Sequence, residues 1–257
     1  MRNDTIIYQK VGAVGIISIN RPSVDNAINM RLTEELTVTC AEINRDDEVK
    51  AAIVTGVGDR AFSIGLDLKE FSSVVFCEQG IKLLSAVVPV ASLTIPVIAA
   101  INGDACGEGL ELALACDLRI AAETAHFTSA YVAHGRMPWN GATQRLPRLI
   151  GRAKAMEMLF TGQSVDATEA HQIGLVNKVV SQRELMPAAT DMAQTIASKA
   201  PFAVKYAKEA IYKGLDLTLE QGLRLEADLY FLLQTTEDRA EGIRAFLEKR
   251  MPQFKGR

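Results

Sequence analysis

The spacing of apolar and polar residues predicts alternating strands and helices over the first half of the chain. Apolar residues recur with helical spacing over residues 30–45, which predicts an amphipathic helix. Short β-branched runs predict four strands, which are Val14–Ile19, Ala51–Thr55, Pro96–Ile101 and Cys116–Ala121. Strands separated by helices indicate an α/β fold with a largely parallel sheet.

The pattern becomes helical almost throughout from about residue 141 onward. The predicted helices are Gly141–Ile150, Ala153–Thr161, Ala167–Gln172, 183–213 and 218–250. Leu175–Val180 interrupts them as a candidate strand. The chain therefore divides into an α/β body and a helical C-terminal third. These helices cannot bury all their apolar faces alone, so we expect them to dock on the body or on a neighbouring subunit.

Composition excludes several classes of protein. The 257 residues are 48% hydrophobic and 23% charged, which is typical of a globular protein and excludes intrinsic disorder. The 28 basic and 31 acidic residues give a net charge of −3, which argues against nucleic acid or an anionic membrane as the main partner. The apolar run over residues 86–101 is too short to span a bilayer, and the first residues lack the apolar region of a signal peptide.

Cysteine usage points to a reducing compartment. Cys40, Cys77, Cys106 and Cys116 are scattered, with no paired Cys or His spacing. Reduced, mostly buried thiols explain this pattern better than disulfides or zinc. We therefore expect a cytoplasmic protein without a metal site.

Two glycine-containing loops are candidates for the chemistry. Each of them, Ala61–Glu70 and Asn102–Glu111, follows a predicted strand and is placed to open a helix. Glycine permits close approach of the backbone to a ligand, and the first N–H groups of a helix have no internal partner. Two such amides that converge on one oxygen would form an oxyanion hole. On the glycines alone, two ordinary strand-to-helix turns are the simpler interpretation.

Acidic residues in the second loop favour a functional interpretation. Glu108 and Glu111 interrupt an apolar stretch and lie three residues apart, on neighbouring positions of a helix surface. Burial disfavours the charged carboxylate and raises its pKa toward the range useful for proton transfer. The alternative for Glu108 is a solvated residue that the helix dipole favours. For Asp117 we expect a salt bridge with Arg119 or Arg145.

Nine motifs together resemble the enoyl-CoA hydratase/isomerase (crotonase) superfamily. They follow one another in the order Asn20-Arg-Pro22 with Asn26-Ala27, Ala61–Lys69, Pro96–Gly103, Gly107–Ala113, Cys116-Asp117, Thr143–Pro147, Thr161-Gly162, Gly174–Val176 and Ala245–Arg250. Each motif alone is weak, but their order and spacing are highly specific. The resemblance runs from Ile6 to the C-terminus.

The resemblance implies a crotonase-like spiral of ββα turns with a helical trimerisation region. Residues 1–195 would form the core with the CoA-thioester site, and residues 196–257 the helical oligomerisation region. Members of this superfamily assemble as homotrimers or as dimers of trimers. No cofactor would be bound, because coenzyme A enters as part of the substrate.

Site residues carry over from the superfamily by position. The backbone N–H groups of Leu66 and Glu108 would hold the thioester carbonyl, and Glu111 matches one of two glutamates that hold a water in hydratases. Contacts to the adenine and the ribose phosphate would come from Ala27, Leu66, Asp67, Leu68 and Lys69. A thioester carbonyl that gathers enolate charge is stabilised by such donors.

The chain departs from the hydratase pattern at two positions. The second glutamate should fall twenty residues after Glu111, where Tyr131 stands. Glu108 occupies a position at which glycine is typical, which is permitted unless the φ angle there demands glycine. Whether Glu108 turns its carboxylate into the pocket as a replacement for the missing acid stays open at this point.

Other side chains of the segment after Tyr131 could replace the lost acid or shape the acyl pocket. Tyr131 can donate a hydrogen bond or a proton, or it can form a pocket wall. His134 is a competent acid–base group if it faces the pocket, and otherwise a surface or structural histidine. Trp139 and Asn140 lie where some members contact the acyl group, so we expect them to line the acyl pocket with Tyr131.

The first functional hypothesis is therefore hydration of an unsaturated acyl-CoA, including a cyclic or conjugated one, or the reverse dehydration. Isomerisation of a double bond, decarboxylation and thioester hydrolysis are alternatives on the same fold. RNA binding without catalysis is the alternative from another class, and basic residues 145, 148, 152 and 154 lie close together. A subunit surface or contacts to CoA phosphates explain those residues more simply.

Overall fold

The computed structural model describes residues 4–71 and 85–257. Cys77 lies outside the described residues. The strands are β1 (Ile6–Val11), β2 (Val14–Ile19), β3 (Ala51–Gly56), β4 (Ala61–Ser63), β5 (Val97–Ile101), β6 (Asp104–Cys106), β7 (Leu118–Ala122), β8 (His126–Thr128), β9 (Val165–Asp166) and β10 (Lys178–Val180). The helices are α1 (Met30–Arg45), α2 (Leu68–Phe71), α3 (Val87–Ala91), α4 (Glu108–Ala115), α5 (Ala142–Ile150), α6 (Arg152–Thr161), α7 (Ala167–Gln172), α8 (Leu185–Ala197), α9 (Pro201–Gly214), α10 (Leu219–Leu233) and α11 (Glu237–Leu247).

The main sheet has six strands in the order β1-β2-β3-β5-β7-β10. β1 pairs antiparallel with β2, and every other neighbouring pair is parallel, so the predicted α/β fold with a largely parallel sheet is confirmed. Alternate residues of β3 pack on opposite faces, because successive side chains of a strand point to opposite sides. Ala52 and Val54 face a core shared with α1 and α4, whereas Ala51 and Ile53 face α8.

A second sheet of four short strands positions the loops. Its order is β4-β6-β8-β9, and β4, β6 and β8 run parallel. Strands of two or three residues are too short to show a two-residue period, and the hydrophobic pattern did not predict them. The carboxyl ends of parallel neighbours meet at one edge of a sheet, as at the ligand sites of open α/β sheets. The loops after β4, β6 and β8 therefore lie side by side.

Two buried asparagines fix β4 to the main sheet. The side-chain amide of Asn26 donates to the carbonyl of Ala61 over 2.8 Å, and that of Asn102 donates to the same carbonyl over 3.1 Å. Oδ1 of Asn102 accepts from the amide of Gly56, the last residue of β3, over 2.9 Å. These bonds give a structural reason for the two asparagine motifs of the sequence.

The helices of the C-terminal third are shorter than predicted. The stretch 218–250 is two helices, because Thr236 caps α11 by accepting from the amide of Arg239, and Pro201 likewise begins a new helix within 183–213. The candidate strand over 175–180 shrinks to β10, since the amide of Leu175 bonds to the end of α7.

The predicted partner of Asp117 is wrong. Its Oδ2 lies 2.7 Å from Nζ of Lys208 on α9 and accepts from the amide of Val97 at the same distance. The Arg119 guanidinium instead donates to backbone carbonyls, among them that of Cys116, and Arg145 donates to the carbonyl of Asn140. Lys208 is 91 residues away along the chain, so no local spacing indicates the pair.

Large apolar side chains of the C-terminal helices face solvent. They include Leu219, Leu223, Phe231, Phe246 and Leu247, and Phe246 is 82% exposed. Such a set is unusual for the surface of a monomer. Within the described residues, no helix is long and apolar enough to cross a bilayer.

Candidate active site

Two backbone amides meet where the second sheet ends. Leu66 follows β4 by three residues, and Glu108 follows β6 by two and is the first residue of α4. Neither amide N–H donates a hydrogen bond to any residue in the described part of the chain. Backbone donors are almost always satisfied when they are buried, so two free ones beside each other are available for a ligand oxygen.

Glycines allow this close approach. Gly65 has a φ of +88°, and a Cβ there would lie 2.9 Å from the amide nitrogen of Glu108 and from the carbonyl of Cys106. Gly107, at φ +52°, takes the positive backbone angle of the second turn, so Glu108 does not need it. The structure therefore permits a glutamate where glycine is typical.

Glu111 is a fully buried carboxylate with three hydrogen-bond donors. Its Oε1 accepts from the backbone amides of Asn140 over 2.9 Å and of Ala142 over 3.0 Å, and its Oε2 accepts from the hydroxyl of Tyr131 over 2.6 Å. Burial raises the pKa of Glu111, while these three bonds hold it down. An ionised carboxylate offers about four acceptor positions, so Oε2 keeps one for a further ligand.

Glu108 places a second buried carboxylate on the same helix. Its side chain is sealed from solvent, its Oε1 accepts from the side-chain amide of Asn140 over 2.6 Å, and its Oε2 has no hydrogen-bond partner among the described residues. Burial raises the pKa of Glu108 well above its ordinary value, and the charge on Glu111 raises it further. The backbone amide of Ala86 and the guanidinium of Arg136 act in the opposite direction. The neutral form is therefore favoured at Glu108.

Asn140 connects the two glutamates. Its backbone amide donates to Glu111 and its side-chain amide donates to Glu108. The orientation of that side chain is fixed because its Oδ1 accepts from the hydroxyl of Ser85 over 2.7 Å. Nη1 of Arg145, one helical turn into α5, donates to the Asn140 carbonyl over 2.9 Å and holds the backbone in place.

The segment after β8 supplies Tyr131, which lies in a short 3-10 helix over Ala130–His134. Burial and Glu111 both raise the pKa of Tyr131, so its hydroxyl stays protonated and acts as a donor. The Arg136 guanidinium lies 5.6 Å from the centroid of the Tyr131 ring. His134 is exposed and makes no hydrogen bond within the described residues, so the structure does not bring it into this cluster. Trp139 is half-buried, and its indole N–H has no partner there.

The segments predicted to contact coenzyme A are adjacent. The amide of Ile28 donates to the carbonyl of Gly65 over 2.7 Å, and the amide of Asp67 donates to the carbonyl of Ile28 over 2.8 Å. Ala27 therefore lies beside the Leu66–Lys69 strip. Nη1 of Arg21 donates to the Ala27 carbonyl and Nη2 pairs with Asp67, which ties the two segments together.

Two residues of the cluster were not singled out from the sequence for this role. Ser85 is 55 residues from Asn140, and no spacing in the chain indicates their hydrogen bond. The sequence suggests Arg145 as a partner of Asp117 or as a surface or phosphate-binding residue, whereas its guanidinium donates to the Asn140 carbonyl in the loop before α5. Among the described residues, no group of three or more His, Cys, Asp and Glu side chains is arranged to hold a metal ion.

Comparison with known proteins finds similarity over almost the whole chain. The family model described as Enoyl-CoA hydratase/isomerase matches residues 9–257. A probable enoyl-CoA hydratase of Mycobacterium leprae is 41% identical over 255 residues, which are 99% of each chain. The short-chain-enoyl-CoA hydratase of Clostridium acetobutylicum is 40% identical over 253 residues, which are 97% of each chain.

A solved structure shows the same fold. The enoyl-CoA hydratase from Bacillus anthracis superimposes with a TM-score of 0.94 at 41% identity and covers 98% of this chain and 100% of its own. The expected crotonase fold is therefore confirmed.

Proposed function

This chain belongs to the enoyl-CoA hydratase/isomerase family, and from that premise we propose that it adds water to an unsaturated acyl-CoA thioester, or removes water from the corresponding 3-hydroxyacyl-CoA. One observation carries the proposal. The free amides of Leu66 and Glu108 adjoin a buried, hydrogen-bonded carboxylate, Glu111. These are the donors and the base that the reaction needs at the thioester carbonyl and at the β-carbon.

The chemistry follows from this arrangement. The two amides donate hydrogen bonds to the thioester oxygen, and they stabilise it more strongly as charge collects there when water adds to Cβ. Each such donor contributes about 3–4 kcal/mol to the transition state in a water-excluded site. Glu111, whose ionised form is favoured by its three donors against the effect of burial, takes a proton from the adding water. Tyr131 is a positioning residue, because it fixes Oε2 of Glu111.

Coenzyme A would lie along the strip described above. Two hydrogen-bonded segments form this strip, and one of them begins at the free amide of Leu66. The residues concerned are Ala27, Leu66, Asp67, Leu68 and Lys69. A nucleotide held there places its pantetheine arm toward the glutamates. Tyr131, Trp139 and Asn140 are proposed to line the acyl pocket, and a catalytic role of His134 stays a prediction.

We also propose that the protein assembles as a homotrimer or a dimer of trimers through the region 196–257. The exposed apolar residues of α10 and α11 support this, because a second subunit would remove them from water. A cytoplasmic location is proposed on the free thiols of Cys40, Cys106 and Cys116, which are typical of a reducing compartment. Sedimentation analysis of the purified chain tests the assembly.

The reaction is tested with a panel of enoyl-, dienoyl- and malonyl-type CoA esters in heavy water, read by mass spectrometry. Hydration adds the mass of one heavy water, isomerisation exchanges hydrogen without adding water, and decarboxylation loses carbon dioxide. Gain of water with an enoyl-CoA is the expected result. The proposal would be overturned if these esters reacted only by isomerisation, decarboxylation or another route that adds no water.

A further inference from the structure

The side chain of Glu108 has no role in the proposed function, which uses only its backbone amide. We infer that the Glu108 carboxyl group is the second acid–base group of the reaction and delivers the proton to the α-carbon. This inference rests on the proposed hydration, and it assigns the position of the acid that Tyr131 does not supply.

The first argument is the cost of the arrangement. Glu108 is 1% exposed, and its Oε2 has no hydrogen-bond partner in the described part of the chain. A buried polar atom without a partner destabilises the fold, more so if the group is charged. In the neutral form this group is an O–H donor that still needs an acceptor. A substrate atom that takes the proton would satisfy it.

The second argument is placement. The backbone amide of Glu108 is one of the two free donors. The Glu108 side chain therefore belongs to a residue that contacts the thioester oxygen in the proposed function. Glu111 lies one turn further along α4, and Asn140 donates to both carboxyl groups. The two glutamates are therefore held by one residue in a common cluster, beside the position that the acyl carbons must occupy.

The third argument is the division of charge. Glu111 receives three hydrogen bonds, which favour its ionised form, whereas Glu108 receives one from Asn140 and faces the charge of Glu111. Two neighbouring carboxyl groups whose surroundings separate their protonation states are suited to act as a base and an acid. The structure therefore makes Glu111 the base and Glu108 the acid in the direction of hydration.

The proton and electron balance is complete. Water oxygen forms a bond to Cβ while its proton moves to Glu111, and the π electrons move to the thioester oxygen. The enolate then collapses, the carbonyl re-forms, and Cα bonds to the proton of Glu108. Glu111 is left neutral and Glu108 ionised, and return of one proton from Glu111 to Glu108 restores both. No oxidant or other reactant is needed.

Glu108→Gln separates this role from a structural one. Glutamine keeps the backbone amide and an oxygen that can accept from Asn140, and it loses only the transferable proton. With crotonyl-CoA as the probe, we expect kcat to fall at least about 100-fold. The Kd of unreactive butyryl-CoA should stay within about threefold, because the amide that binds the carbonyl is unchanged. Glu123→Gln, at an exposed glutamate, is the matched control.

A second variant keeps the test informative if Glu108→Gln does not fold. Glu108→Gly restores the residue typical of the family at this position and keeps the amide, so it should bind butyryl-CoA and share the loss of kcat.

The pH dependence of kcat gives a further readout. Ionisation of Glu108 should reduce the activity of the unchanged protein at high pH, and this decline should disappear from the residual activity of Glu108→Gln, since no acid at this position is left to ionise. A kcat of Glu108→Gln within threefold of the unchanged protein would overturn the role of Glu108 alone. An unchanged protein that hydrates no enoyl-CoA would overturn the proposed function, and the assignment of Glu108 with it.

Discussion

The hydroxyl of Tyr131 donates a 2.6 Å hydrogen bond to Oε2 of Glu111, twenty residues earlier in the chain. The residue that the family resemblance aligns with a hydratase's second glutamate thus faces Glu111. Burial raises the pKa of Tyr131, so it enters the site as a donor and cannot serve as a base near neutral pH. At this position, Glu111 is therefore paired with a fixed hydrogen-bond donor.

Tyr131→Phe tests what this donor does. The hydrogen bond lowers the pKa of Glu111, so its loss should raise that pKa and move the acidic limb of the kcat profile to higher pH. The Kd of butyryl-CoA should change little, since Tyr131 does not touch the thioester oxygen in our proposal. The measurement is kcat for crotonyl-CoA against pH, with Tyr8→Phe in β1 as the control, because Tyr8 lies outside both the glutamate cluster and the proposed oligomerisation region. An unmoved acidic limb would show that Tyr131 does not tune Glu111.

Glu111→Gln should abolish most of the hydration. Glutamine can accept hydrogen bonds at one oxygen but cannot take the proton of water, so kcat should fall at least about 100-fold. Binding of butyryl-CoA should persist. Glu34→Gln, at an exposed glutamate of α1, serves as the control for the purified protein and its assay. Unchanged turnover in Glu111→Gln would remove this residue from the mechanism.

Gly65→Ala tests the pair of amides without touching a proposed acid. A Cβ at Gly65 would lie 2.9 Å from the amide nitrogen of Glu108 and would push the two loops apart. Loss of one oxyanion donor costs about 100- to 1,000-fold in kcat. Gly151→Ala is the matched control, because its φ of +80° is close to the +88° of Gly65 and nothing lies within 4 Å of its Cβ position.

Both glycine variants should lose stability from the strained φ angle, and Gly65→Ala should lose more because its Cβ also meets backbone atoms, as measured by thermal unfolding. Only Gly65→Ala should also lose kcat when both variants are assayed as folded proteins. Equal kcat values in the two variants would show that the spacing of the loops does not matter for catalysis.

Long, periodic elements could be predicted from the sequence. The helix over 30–45 and the strand over 14–19 coincide with α1 and β2, because each buries one face and shows it in its spacing. The second sheet was not predicted, since its strands have two or three residues each. The resemblance to the family nevertheless singles out Leu66 and Glu108, which the structure places shortly after two of these strands; their role in holding the thioester stays a prediction.

The hydrogen-bond network of the site could not be predicted. Asn140 was expected in the acyl pocket, and the structure shows it bonded to both glutamates. Ser85, which orients it, lies 55 residues away, so only the folded chain brings the two together. Side-chain contacts between distant segments leave no periodic signal along the chain, which is also why the partner of Asp117 was wrong.

The buried Glu108 should make the stability of the protein depend on pH in a direction that can be measured without substrate. Because the pKa of Glu108 is raised in the folded state, folding favours its protonated form. Its contribution to stability is fully present below the unfolded pKa near 4.5 and is lost as pH rises toward the folded pKa, by about 1.4 kcal/mol for each pH unit in that window.

Glu108→Gln lacks this ionisation and also loses the repulsion between the two carboxylates, which acts on Glu111 as well, so comparing the two proteins reports the ionisation of the pair that Glu108 completes. Urea unfolding between pH 5 and about 8 should show the free energy of unfolding of Glu108→Gln gaining on that of the unchanged protein as pH rises. Exposed Glu123→Gln should give a pH-independent difference. The prediction would be contradicted if the difference in free energy of unfolding between Glu108→Gln and the unchanged protein did not change with pH. Glu108 would then ionise as readily in the folded protein as in the unfolded chain.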